Sequence, residues 1–207
     1  RNMKGEIRIR DGFIITVLFW LVLSTFGALP FALSQETNLS FIDALFESIS
    51  GLTTTGATVF TNLEDLPKSI LYYRQQLQWL GGIGIVVIAV SILPMIGVGG
   101  MQIYKAETPG PIKDTKLTPR IAETANALFK IYVFLTVVCA IAYWVAGMSW
   151  FDALSHSFST ISIGGFSTYD ESLGHFDNNA VLTIASIFMV VSGCLLYTSP
   201  SPRDRSS

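Results

Sequence analysis

Two short stretches of the chain carry residues suited to holding an ion: TTTGAT at 53–58 and SIGGFS at 162–167. Each is uncharged, rich in hydroxyls and interrupted by glycine, so each is a poor helix. What such a segment offers is oxygen. Carbonyls of an extended backbone, with the hydroxyls of Thr53 and Ser162, can replace the water shell of a cation. Glycine supplies backbone angles closed to other residues. Neither segment contains a cationic side chain that would hold an anion. The candidate ligands are Thr53, Thr54, Thr55 and Gly56 in the first segment and Ser162, Ile163, Gly164 and Gly165 in the second, acting mainly through backbone oxygens. His156 and His175 read as packing or solvated residues. No Ser/His/Asp spacing accompanies them, so no enzyme chemistry is expected.

The elements that position these segments lie just upstream. SFIDALFESISGL (40–52) and SWFDALSHSFSTI (149–161) are semi-apolar and too short to cross a bilayer. A helix of about 11 residues is only about 16 Å long, half the thickness of the hydrocarbon core. Each opens with an S-x-x-D box, Ser40 with Asp43 and Ser149 with Asp152, which closes a helix N-terminus. The C-terminal end of each helix then points its partial negative charge at the glycine segment, which favours a cation there.

The two units are copies. The spacing of 109 between Asp43 and Asp152 also pairs Ala44 with Ala153, Leu45 with Leu154, Ser48 with Ser157, Ser50 with Ser159 and Gly56 with Gly165. One copy alone reads equally well as a C-cap glycine closing a helix, with threonines bonding back to the backbone. Two copies in register favour the re-entrant pore loop, because a repeat in a membrane chain suggests pseudo-symmetric elements around one site.

The surroundings are those of a membrane. Half of the 207 residues are hydrophobic and 14% are charged, where soluble domains carry about a quarter charged residues. Four uncharged stretches reach the roughly 20 residues that a crossing needs: 12–33, part of 76–100, 131–151 and about 180–197. Pro30 and Pro94 lie near span ends, where they terminate or kink a membrane helix. No cleavable signal peptide is expected, because the first apolar run is too long for one.

Arg1, Lys4, Arg8 and Arg10 precede the first span, and Lys105, Lys113, Lys116, Arg120 and Lys130 lie between the second and third. The remaining connections hold Lys68 and Arg74 beside Glu36, Asp43, Glu47, Glu64, Asp65, Asp170, Glu171 and Asp177. The positive-inside rule then places the N-terminus and the middle loop in the cytoplasm. That rule accounts for the basic loop, which contact with a partner or anionic lipid would also suit. The acidic group Asp170, Glu171 and Asp177 reads first as a solvated loop and second as a concentrator of cations at an outer mouth. Gly81 and Gly84 in GGIG read as helix-packing positions rather than a gating flex point. Cys139 and Cys194 read as packed thiols, not a disulfide or metal pair. A net charge of −2 gives no case for nucleic-acid binding.

The stretches FESISGLTTTGATVF, RQQLQWLGGIGIVVIAVSILPMIGVGGMQIYKAETPGPIKD, LTPRIAETA and HSFSTISIGGFSTYD together resemble the TrkH-like branch of the Trk/Ktr/HKT potassium transporters, over most of residues 4–194. The resemblance implies an all-α polytopic membrane protein of the bacterial cytoplasmic (inner) membrane. It also implies four helix–pore loop–helix repeats around one potassium pathway, with essentially one filter glycine per repeat, matched here by Gly56 and Gly165. It further implies K+ as the transported ion with no bound cofactor, a homodimer in the lipid bilayer, and a cytosolic nucleotide-binding regulatory subunit. A non-transporting scaffold or regulatory subunit is the rival class.

The expected layout is a cytoplasmic segment at 1–11, a first repeat at 12–100, a linker at 101–125, a second repeat at 126–194 and a non-native tail at 195–207. Only two of the four repeats are expected, without the extra N-terminal helices typical of this branch. The tail departs from the family pattern at LLYTSPSPRDRSS, whose prolines and arginines cannot continue a lipid-facing helix cheaply.

Overall fold

The computed structural model describes residues 9–96 and 117–197, and the described residues form no strand. Long helix α1 (Ile9–Leu33) is followed by short α2 (Phe41–Leu52), a 3-10 turn at Leu63–Asp65 and long α3 (Lys68–Ile96). The order then repeats: α4 (Leu117–Val145), short α5 (Trp150–Ile161), a 3-10 turn at Ser172–Phe176, and α6 (Asn179–Tyr197).

The half-helices begin as their sequence predicts. Ser40 Oγ accepts from Asp43 N at 3.2 Å and donates to Asp43 Oδ2 at 2.7 Å. Ser149 repeats both bonds with Asp152, at 3.1 and 2.6 Å. Each helix is 12 residues long, about 18 Å, too short to cross a bilayer.

The long helices extend further than the hydropathy suggested. α3 begins at Lys68 rather than at 76, so Arg74 is a helical residue and not part of an outer connection. α4 begins at Leu117, inside the expected linker, and ends at Val145 rather than 151. It is closed there by Gly147 at φ +104, with Met148 N donating to Tyr143 O and Gly147 N to Trp144 O. This paired closure is a Schellman motif. α1 likewise begins earlier than expected, at Ile9, whereas α6 runs from Asn179 through Tyr197, as the hydropathy marked it. Hydropathy marks the lipid-spanning part of a helix, whereas hydrogen bonding continues until a cap stops it. The expected N-terminal residues 1–8, the linker up to 116 and the tail beyond 197 lie outside the described residues.

Among those residues, Thr16–Leu33 and Ala125–Val145 are long and apolar enough to cross a membrane, and α6 holds a shorter apolar stretch, Asn179–Cys194. Val17, Leu18, Phe19, Leu21, Val22 and Phe26 of α1 point outward and exposed, the arrangement expected of a lipid-facing helix.

α3 is the hinge of the architecture, touching α1 and α2 on one side and α4 and α5 on the other. Its Ile70, Leu71 and Leu77 join the first core with Phe31, Ala44, Leu52 and Phe60. Its Trp79 and Ile83 pack on the second core of Tyr132, Cys139, Tyr143, Ala153 and Ile161. The GGIG stretch allows this close contact. A methyl group added to Gly81 would collide with the Leu52 carbonyl, one on Gly82 with Tyr132, and one on Gly84 would lie 3.1 Å from Trp20. Cys139 is buried as expected, while Cys194 is exposed because it sits on the outer face of α6.

Candidate functional site

Both half-helices end with the same backbone motif, and glycine is not its cap. Thr54 N donates to Gly51 O and Thr55 N to Ser50 O, while Ile163 N donates to Thr160 O and Gly164 N to Ser159 O. These are again Schellman closures, and the left-handed residues are Thr54 (φ +54) and Ile163 (φ +55). A β-branched residue in that region is an outlier, costing about 1–3 kcal/mol, and such strain clusters at functional sites. The glycines come two residues later, Gly56 at φ +78 and Gly165 at φ +81. The 109-residue spacing thus holds in the dihedral angles as well as in the letters.

The structure brings the two segments together at these bends. A methyl group on Gly56 would collide with the carbonyl oxygen of Gly164 and lie 3.6 Å from Gly165 Cα. Thr53, Thr55, Ile163 and Gly165 are exposed, Thr54 and Gly56 half-buried, and Ser162 and Gly164 buried. The hydroxyls of Thr53 and Ser162 are turned back to their helices. Thr53 Oγ1 donates to Ile49 O at 2.7 Å and Ser162 Oγ to Ser159 O at 3.2 Å. Backbone oxygens are the groups that both segments can offer a cation alike.

Behind the segments lies a polar frame that sequence reasoning missed. Glu47 and Arg74 are both fully buried and paired, with Arg74 Nε donating to Glu47 Oε1 at 2.7 Å. Glu47 also accepts from Thr58 Oγ1 at 2.9 Å and from Val59 N at 3.1 Å. The guanidinium donates to Thr58 Oγ1 at 2.9 Å and, across the repeat boundary, to Ser167 O at 3.2 Å. It lies over the Phe166 ring, 4.4 Å from its centre.

The second repeat builds the same frame from different residues. His156 stands 109 positions after Glu47, and Ser167 the same distance after Thr58. His156 Nδ1 sits 2.8 Å from Asp152 O, and its Nε2 sits 3.0 Å from Ser167 Oγ. A carbonyl can only accept, so Nδ1 carries the hydrogen, and Ser167 Oγ donates to the free Nε2. Phe60 N donates to Thr58 Oγ1 and Tyr169 N to Ser167 Oγ, both at 3.1 Å. In each copy a half-helix acceptor holds a hydroxyl 11 residues on, which in turn holds the backbone two residues further. Comparing spacings rather than identities would have exposed this pair.

Asp152 adds a second tie, accepting from Thr168 Oγ1 at 2.9 Å and from Tyr169 Oη at 3.3 Å. Burial first, then the charge of Asp152, raises the Tyr169 phenol above its ordinary pKa, so it keeps the proton it donates. Asp170 is not merely solvated. Its carboxylate accepts from Asn62 N at 2.8 Å and Leu63 N at 3.1 Å, joining the outer loops of the two repeats.

Two half-depth helices, each ending in a glycine-bearing oxygen segment between long apolar helices, define a pore-loop membrane protein. The chain belongs to the TrkH family, described as cation transport proteins, whose model matches residues 1–198. That match takes in residues 195–198, the first four of the stretch where a departure from the family was expected.

Among its relatives is the Trk system potassium uptake protein TrkH of Vibrio parahaemolyticus, 61% identical over 194 residues and covering 94% of this chain. TrkH of Escherichia coli K12 is also 61% identical over 194 residues, and TrkG of the same organism is 50% identical over 187. The crystal structure of the Vibrio parahaemolyticus potassium transporter TrkH superposes with a TM-score of 0.79 at 55% identity, over 94% of this chain and 38% of that one. The chain spans about 40% of the length of these curated TrkH relatives. They are transporters, not enzymes.

Proposed function

We propose that this chain supplies two of the four walls of a potassium-selective pathway in a bacterial inner membrane, through repeats at 12–100 and 126–194. Thr53, Thr54, Thr55 and Gly56 with Ser162, Ile163, Gly164 and Gly165 would line the path chiefly through backbone oxygens. The observation that carries this reading is the matched pair of closures, φ +54 and +78 against +55 and +81, with Gly56 against Gly164. Two strained segments held in the same conformation at half depth suit oxygen coordination. K+ is the cargo, not a resident cofactor, and no covalent chemistry is assigned to the chain. The reading includes a cytoplasmic N-terminus and middle loop, a homodimer and a cytosolic nucleotide-binding regulatory subunit.

A transplant tests it. In a strain lacking potassium uptake, a chimera carrying these residues in place of the matching 40% of Escherichia coli TrkH should restore growth at low potassium. The chain expressed alone should not, since a two-walled filter leaves backbone carbonyls facing lipid. A well-expressed chimera that fails to rescue would reject the reading in favour of a non-transporting scaffold.

A further inference from the structure

Resting on that reading, we propose that Gln78 is a specificity-determining positioning residue, a side chain of the first repeat that sets the conformation of the pore segment of the second. Gln78 is fully buried in α3. Its Nε2 donates to Gly164 O at 2.7 Å, and its Oε1 accepts from Phe166 N at 3.1 Å. One carboxamide thereby spans the residue between them, Gly165, as a neighbouring strand would, and fixes the two peptides that flank the left-handed bend. Neither peptide group has another backbone partner among the described bonds of this segment. Both would be costly to leave unpaired at this depth.

The grip explains a glycine that the repeat does not. The counterpart of Gly164 in the first copy is Thr55, so the bend itself does not demand glycine there. At Gly164 an added methyl would run into the Gln78 carboxamide, 2.7 Å from its Nε2. On the opposite side, the carbonyl that Gln78 holds is the one Gly56 rests against. Gln78, Gly164 and Gly56 therefore form one stack, in which the amide sets how far apart the two segments stand. A filter whose oxygens are held at a fixed spacing discriminates ions by the cost of changing that spacing. Arg74, one turn earlier on the same face, donates to Ser167 O, so α3 holds the second segment at Gly164, Phe166 and Ser167.

The test uses the chimera described above, reconstituted in proteoliposomes, with potassium and sodium flux measured alongside membrane abundance. Gln78→Met keeps the volume and loses both bonds. It should lower the potassium-to-sodium ratio of the folded transporter about tenfold, the scale of one or two lost buried hydrogen bonds, whatever it costs in abundance. Gly164→Ala presses on the same carboxamide and should lower the ratio comparably, and combining the two should add little because they act through one contact. An unaltered ratio, or equal proportional loss of both fluxes, would mean a merely structural glutamine and would overturn the inference while leaving potassium transport intact. If the unsubstituted chimera carries no potassium, the transport reading fails and this inference with it.

Discussion

Gly56→Ala should abolish selective flux in the chimera, while Gly165→Ala should leave a weakened but recognisable transporter. Both glycines sit at nearly the same positive φ, +78 and +81, so both substitutions carry the strain of a left-handed alanine, about 1–2 kcal/mol. What separates them is space. A methyl on Gly165 meets nothing within 4 Å among the described residues, whereas one on Gly56 would strike the Gly164 carbonyl. That carbonyl cannot swing aside, because the Gln78 amide holds it. Relief would have to come from separating the two segments, and with them the oxygens that discriminate between ions. Potassium and sodium flux at equal abundance checks the ranking. Equal losses from the two substitutions would show that backbone strain alone explains the glycines, and that the close approach of the segments plays no part.

The half-helices were legible because short-range chemistry decides them. Ser40 with Asp43 and Ser149 with Asp152 close their N-termini within a single turn, and no distant contact is needed. The repeat was legible where the two copies kept the same letters. It was not legible at Glu47 and His156, or at Thr58 and Ser167, where the role is shared but the residues differ. The residues that close the two half-helices were not legible, for another reason. A β-branched residue at positive φ is so disfavoured that Thr54 and Ile163 could not be expected as caps, and a glycine cap was the alternative weighed against the pore loop. Tertiary packing around the segments overrides that preference. Arg74 was misplaced because a charge near an apolar run reads as the start of a loop, when here a buried carboxylate lets it lie within the helix. An ionisable residue inside a membrane helix is itself a functional signal, and RQQLQ carried it, with Arg74 and Gln78 one turn apart on the face that meets both pore segments.

Arg74→Met should be the most destabilising change in the chain, and pairing it with Glu47→Gln should restore much of the loss. Removing one partner of a buried ion pair leaves the other charge uncompensated, at a cost of about 3–5 kcal/mol. Here the stranded group would be Glu47, fully buried and still accepting from Val59 N and Thr58 Oγ1. The double variant holds no stranded charge. The introduced glutamine keeps a carbonyl oxygen for Val59 N, and the introduced methionine fills the volume between the Phe60 and Phe166 rings that the guanidinium now occupies. It should recover about half of the lost stability or more, since exchanging a whole buried pair is often nearly neutral. Full recovery is not expected, because Ser167 O loses its donor from Arg74. The apparent unfolding midpoints of the purified chimera in detergent measure the cycle. If Arg74→Met falls within about 1 kcal/mol of the parent, or if the double variant is as unstable as the two single changes summed, the pair does not couple as a buried charge pair must. The same cycle separates support from selectivity. Arg74 grips Thr58 on one segment and Ser167 on the other, outside the stretch between Gly164 and Phe166 that Gln78 holds. Its loss should therefore lower the amount of folded transporter more than the potassium-to-sodium ratio of what remains.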